Sequence, residues 1–111
     1  MEIPKKTKKN YIIAFPSGKI DATNSGDFTD SLLKILDEEK NLILNFKDIN
    51  YISSAGLRAV LIVAKHIQNK QGKFILCEMQ PHIFDIFKIT GFTQMLKIVS
   101  SLSDAEKLIE E

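Results

Sequence analysis

Four short runs of β-branched, aromatic and aliphatic residues recur along the chain, and between them apolar residues return at helical spacing. The runs are Tyr11-Ile12-Ile13-Ala14-Phe15, Asn41 to Phe46, Lys73 to Cys77 and Met95 to Val99. Each is too continuous for a strand with one wet face, so each reads as a strand of a covered sheet. The intervening segments carry Phe28, Leu32, Ile35 and Leu36 at i, i+4, i+7 and i+8. The next carries Leu57, Val60, Leu61, Ala64 and Ile67, followed later by Ile83, Ile86 and Phe87. One apolar stripe per segment predicts amphipathic helices. Strands alternating with helices demand a largely parallel sheet with helices packed on it. The predicted order is β-β-α-β-α-β-α-β-α, an α/β fold with a four- to five-stranded mixed sheet flanked by about four helices.

Local chemistry sets the expected boundaries. Lys5, Lys6, Lys8 and Lys9 suit an edge strand, where lysine discourages further pairing, or a solvated terminus. Pro16-Ser17-Gly18 breaks the first buried run, and Asn24 or Ser25 is expected to cap the first helix. Lys47 to Ile52 reads as a linker ahead of Ser53-Ser54-Ala55-Gly56, and the second helix is expected from Leu57. Gly72 offers a left-handed cap at its end. Pro81 suits the first turn of a third helix, Gly91 stops it, and Ser103-Asp104-Ala105-Glu106 has the spacing of a capping box opening the last.

Charge and length then exclude whole classes of function. Fifteen Lys and Arg against fourteen Asp and Glu leave a net charge of +1 over 111 residues, which argues against nucleic acid or an anionic membrane as main partner. No apolar run approaches the roughly 20 residues of a membrane span. The first residues lack the apolar stretch of a signal peptide, so a cytoplasmic protein with residues 1–111 as a single domain is expected. Cys77 stands alone and reads as a packing residue. His66 and His82 have no ligand partner at a recognised spacing, and no glycine pattern matches a phosphate loop or dinucleotide fold, so neither metal nor cofactor is expected. A Ser-His-Asp hydrolase could be assembled on paper from Ser54, a histidine and an aspartate, but the G-x-S-x-G elbow is absent.

The strongest local feature is Ser53-Ser54-Ala55-Gly56-Leu57-Arg58 at a strand-to-helix junction. Two hydroxyls there stand beside the unpaired amides and positive dipole end of a helix. They can serve as N-caps. They can equally place a phosphate, with about −1.5 to −2 charges, where the backbone tolerates it and a docked partner would not. Arg58 sits unfavourably against the dipole, which hints that something else uses it: a partner carboxylate or a phosphate. Phe84, Phe92 and Met95 exceed what one stripe can bury and are either core or partner-facing.

The stretch Leu44 to Arg58, with Ser53-Ser54-Ala55-Gly56-Leu57-Arg58 at its centre, resembles the signature of STAS domains, specifically bacterial anti-sigma-factor antagonists. Gly18-Lys19-Ile20-Asp21 is similar to the family's turn after its second strand. Pro81 through Thr90-Gly91-Phe92 and Ser103-Asp104-Ala105 match later segments in order. The resemblance implies a protein–protein binding module of partner switching and transcription regulation, with no catalysis of its own. In that scheme the unphosphorylated form binds an anti-sigma factor that is also a serine kinase, and so frees a sigma factor. Phosphorylation then releases the antagonist, and a PP2C-type phosphatase restores it. Carried over position by position, the acceptor is Ser54, with Ser53 a rival hydroxyl, and Asp21, Asp48 and Gly56 match the family's positions; with Arg58, read from its own chemistry, these residues are the expected partner-binding surface. Ser53 stands where the family usually has aspartate, and Ala55 where a second hydroxyl is frequent. Asp21 and Asp48 can also be simple turn formers capping their own backbones. The alternatives are a STAS subunit of a transporter ATPase or signalling scaffold that is never phosphorylated and, more remotely, the serine hydrolase.

Overall fold

A computed structural model describes residues 1–111. Its central sheet has five strands, β1 (Lys5–Thr7), β2 (Ile12–Ala14), β4 (Leu42–Asn45), β6 (Phe74–Cys77) and β7 (Lys97–Val99), in the order β1-β2-β4-β6-β7. Only β1 is antiparallel; β2, β4, β6 and β7 run parallel, as the alternation with helices requires. The lysine-rich start is therefore the edge strand, its three residues exposed.

The helices are α1 (Ser25–Ile35), α2 (Ser54–Asn69), α3 (Pro81–Ile89) and α4 (Leu102–Ile109). One sheet face is covered by α1, α2 and α3, whose Phe28, Leu32, Val60, Val63, Ile83 and Phe87 join Ile12, Leu42, Leu44 and Leu76 in the main core. The other face is covered by α4, with Ala105 and Ile109 packed on Tyr11, Ile13, Ile43, Ile75 and Cys77. Alternate strand residues thus supply opposite cores, which is why the runs carry almost no polar position. The exception is buried Asn45, whose amide donates to Glu78 (3.2 Å) and whose carbonyl accepts from the Lys47 amide (2.9 Å).

Two strands were not expected. Ser17–Ile20 forms β3 and Asp48–Ile52 forms β5, and they pair in parallel as a ribbon separate from the main sheet. Ser17-Gly18, expected as a breaker, starts β3; Gly18 takes φ +84° at the register shift between Gly18 and Lys19, a bulge that glycine permits. The expected linker is β5, whose Ile49 and Ile52 are buried while Asp48, Asn50 and Tyr51 face solvent. Neither ribbon strand carries the continuous run of apolar residues that marks a covered strand.

Helix boundaries also moved. Asn24 occupies the N-cap position of α1 but caps nothing: its carbonyl oxygen accepts from the Asp21 amide (2.9 Å), and its amide donates to the Lys19 carbonyl (2.8 Å). The left-handed residue after α2 is Gln71 (φ +60°), not Gly72. Gly72 is required for space, since a Cβ there would fall 2.1 Å from the Lys40 carbonyl oxygen. Helix α4 is capped by Ser101, whose hydroxyl accepts from the Asp104 amide (3.0 Å), two residues before the expected box. Gly91 does end α3, at φ +83°. Phe92 packs edge-on against Phe87 at 6.1 Å, whereas Met95 and Phe84 stay exposed.

Candidate functional site

The C-terminal ends of β3 and β5 lead into two turns that meet at the start of α2. Helix α2 begins at Ser54, three residues earlier than its apolar stripe suggests, and Ser53 is its N-cap. The Ser53 backbone is extended, its amide donates to the Ile20 carbonyl (2.9 Å) and its hydroxyl accepts from the Gly56 amide at 3.3 Å. One serine is thereby committed to satisfying an otherwise unpaired helix amide. The next, Ser54, is the first residue of the helix and is exposed.

Gly56 explains how α2 can start so close to the ribbon. It is buried, and a Cβ on it would lie 2.6 Å from the Ile20 carbonyl oxygen and 2.7 Å from Ile52 Cγ1. No side chain fits between the first turn of α2 and β3. The glycine therefore positions the site from beneath and does not itself reach the surface.

Asp21 closes the turn after β3. Its carboxylate accepts from the Thr23 amide (2.9 Å) and the Thr23 hydroxyl (2.5 Å), and Lys19 Nζ lies 3.6 Å from its other oxygen. The Thr23 hydroxyl bond and then the Thr23 amide bond hold its carboxyl below the usual carboxylate range, so it is ionised at neutral pH. The same bonds make the residue a turn former, as one expectation had it, while leaving a fixed negative charge at the rim. A depression of about 730 Å³ opens there, bordered by Asp21, Thr23, Tyr51, Ser54, Ile86 and Thr90. Helix α3 forms its far wall and is pinned to the ribbon where Gln80 donates to the Lys47 carbonyl (3.0 Å) and His82 Nε2 meets the Asn50 carbonyl (2.7 Å).

The structure brings Asp21, Ser53, Ser54 and Gly56 together, but not Asp48. Asp48 pairs with Ser17 at the opposite end of the ribbon, four residue steps before Ile52, or about 13 Å along a strand. Arg58 is exposed four residues beyond Ser54 on the same helix. Tyr51, Thr23, Ile86 of α3 and Thr90 just after that helix were not anticipated at the site. Tyr51 alone left a trace, as a large aromatic next to the motif, and it is 51% exposed.

Together these features define a mixed-sheet α/β domain that presents an uncommitted serine at a helix N-terminus, beside an ionised aspartate and an apolar rim. The chain belongs to the STAS domain family: the family's profile matches residues 2–105. A candidate anti-sigma factor antagonist, BtrV of Bordetella bronchiseptica, is 36% identical over 91 residues, 81% of this chain and 78% of that protein. Among solved structures, a candidate anti-sigma factor antagonist of Thermotoga maritima superposes with a TM-score of 0.92 at 19% identity, covering 98% of this chain and 95% of that one. The Bacillus cell-fate determinant SpoIIAA in its phosphorylated form superposes with a TM-score of 0.71 at 14% identity, over 96% of this chain and 99% of that one. At those identities the two structures speak to the fold. No helix is long and apolar enough to cross a membrane.

Proposed function

We propose that this chain is an anti-sigma factor antagonist switched by phosphorylation of Ser54. In its unphosphorylated form it docks, through the surface around Ser54 and Asp21, onto an anti-sigma factor that is also a serine kinase, and a sigma factor is released. The kinase moves the γ-phosphoryl group of ATP to Ser54 Oγ; the hydroxyl proton leaves, and ADP is the product. A PP2C-type phosphatase lets water attack phosphorus, returning the hydroxyl and free phosphate.

The observation that carries this reading is the division between the two serines. Ser53 is half-buried and already bonded to the Gly56 amide, while Ser54 is exposed one residue further on. A phosphate on Ser54 adds bulk and about −1.5 to −2 charges outside the fold, at the positive end of a helix dipole, so the domain keeps its shape while the docking surface changes. The 36% identity to BtrV supports the antagonist class.

The test incubates the protein with ATP and a candidate anti-sigma kinase, then maps phosphate by mass spectrometry. A single phosphate on Ser54, lost in Ser54→Ala, is expected, together with release from the kinase. Phosphate on neither serine would overturn the switch and leave the transporter-subunit or scaffold reading.

A further inference from the structure

Helix α2 carries an outward stripe that neither the core nor the turn at Asp21 uses. At 100° per residue Arg58 lies only about 40° around the helix from Ser54, and both are exposed. Residues four apart are surface neighbours on a helix and side chains lean toward its N-terminus, so a phosphate on Ser54 would come within reach of Arg58. Arg58 takes part in neither of the chain's ion pairs, which are Lys5–Glu38 and Lys19–Asp21. Asp30 of α1 borders the same shallow groove as Arg58 and Ala55 but forms neither of those pairs. In the resting protein Arg58 is thus an exposed cation that takes part in no ion pair.

We propose that Arg58 is the intramolecular counter-ion of the phosphate on Ser54. The inference rests on Ser54 being the acceptor, but not on which kinase serves it. An anion at i with a cation at i+4 is the favourable orientation on a helix, and guanidinium matches phosphate oxygens in bidentate fashion. Phosphorylation gives the unpaired guanidinium an ionic partner. Arg58 thereby holds the phosphate along α2 and away from the Asp21 carboxylate, the like charge across the depression.

The test uses protein carrying phosphoserine at position 54 by genetic encoding, so no kinase is involved. Phosphorus NMR titration reads the second ionisation of the phosphate in wild type, Arg58→Ala and Arg58→Lys. In wild type the midpoint should lie lower than in Arg58→Ala by about 0.2–0.4 of a pH unit, the scale of a helical charge pair. Arg58→Lys should recover part of the difference, and molar salt should abolish it. Thermal melting should separate the two only when the phosphate is present: Arg58→Ala melts close to wild type without it and below wild type with it. Equal midpoints in wild type and Arg58→Ala would overturn the proposal. If the titration shows the pair but no kinase ever modifies Ser54, the counter-ion stands and the switch falls; the converse removes only the counter-ion.

Discussion

Replacing Gly56 with alanine tests whether the first turn of α2 is held as close to β3 as the structure has it. The added Cβ would meet the Ile20 carbonyl oxygen at 2.6 Å, Ile52 Cγ1 at 2.7 Å and Ile20 Cγ2 at 3.0 Å. The first contact is with backbone, so no rotamer change relieves it. Moving the two elements apart stretches the bond from the Ser53 amide to that same Ile20 carbonyl, now 2.9 Å. Overpacking of this kind costs about 1–3 kcal/mol, and weakening the bond adds up to about 1 kcal/mol. Against this, alanine is favoured over glycine in a helix by about 1 kcal/mol, and less so in a first turn. The balance is a loss of about 1–3 kcal/mol, with melting lowered by about 4–8 °C for each kcal/mol. Gly26→Ala in the first turn of α1 is the control, because nothing lies within 4 Å of its added Cβ. There only the helix preference acts, and stability should rise by up to about 1 kcal/mol. Urea unfolding of both variants, with unchanged slopes confirming a common unfolded state, gives the comparison. A Gly56→Ala midpoint at or above wild type would refute the close approach and the account of how the site is positioned.

The two serines should separate cleanly. Ser53→Ala loses a cap and about 0.5–2 kcal/mol in urea unfolding, whereas Ser54→Ala should stay within about 0.5 kcal/mol of wild type; the reverse order would show that the cap is misassigned. Burial, then hydrogen bonds to Glu106 (2.5 Å) and Glu110 (2.9 Å), push the Tyr11 phenol well above its usual range. The folded state keeps this proton after the unfolded state has lost it, so the contribution is complete below about pH 10 and fades as pH rises further. Tyr11→Phe should flatten that alkaline decline in a series of urea titrations. Burial, with lesser help from Glu78 and Glu106, pushes the Cys77 thiol up to about 12. Iodoacetamide at pH 8 should leave it untouched in the native protein and label it readily in concentrated guanidinium.

The main sheet was legible because its parallel strands are covered on both faces. Ile12, Ile13, Ile43, Leu44, Ile75 and Leu76 must all be apolar, and the runs stand out against any background. The ribbon was not legible for the opposite reason. Strand β3 buries only Ile20, and β5 only Ile49 and Ile52, and the pattern of β5 breaks alternation. What holds the ribbon is parallel pairing between segments some thirty positions apart, which no local window contains. At the site, the Ser53–Gly56 turn could be located because a helix start has a chemical signature. Its neighbours on α3 could not, since His82 and Gln80 reach the ribbon through backbone carbonyls that carry no side-chain identity. Asn24 shows the limit of such signatures: it has the right side chain at the N-cap position and spends both of its polar groups on the preceding turn.

The order Ser53 then Ser54 also accounts for how a family position usually held by aspartate can be serine here. What the fold asks of position 53 is an oxygen that accepts from the Gly56 amide, and a hydroxyl does this as an aspartate carboxylate would. What changes is charge. An aspartate would stand as a permanent anion one residue from Ser54, the proposed acceptor, opposing any phosphate added there. With serine the nearest fixed carboxylate at the rim is Asp21, tied to Thr23 and Lys19. The site thus carries less negative charge before modification and gains proportionately more from it. In a chain of net charge +1, a phosphate bringing about −1.5 to −2 reverses the sign of the whole molecule. It does so at one helix end, where a partner docked across the Tyr51 and Ile86 rim would meet it directly.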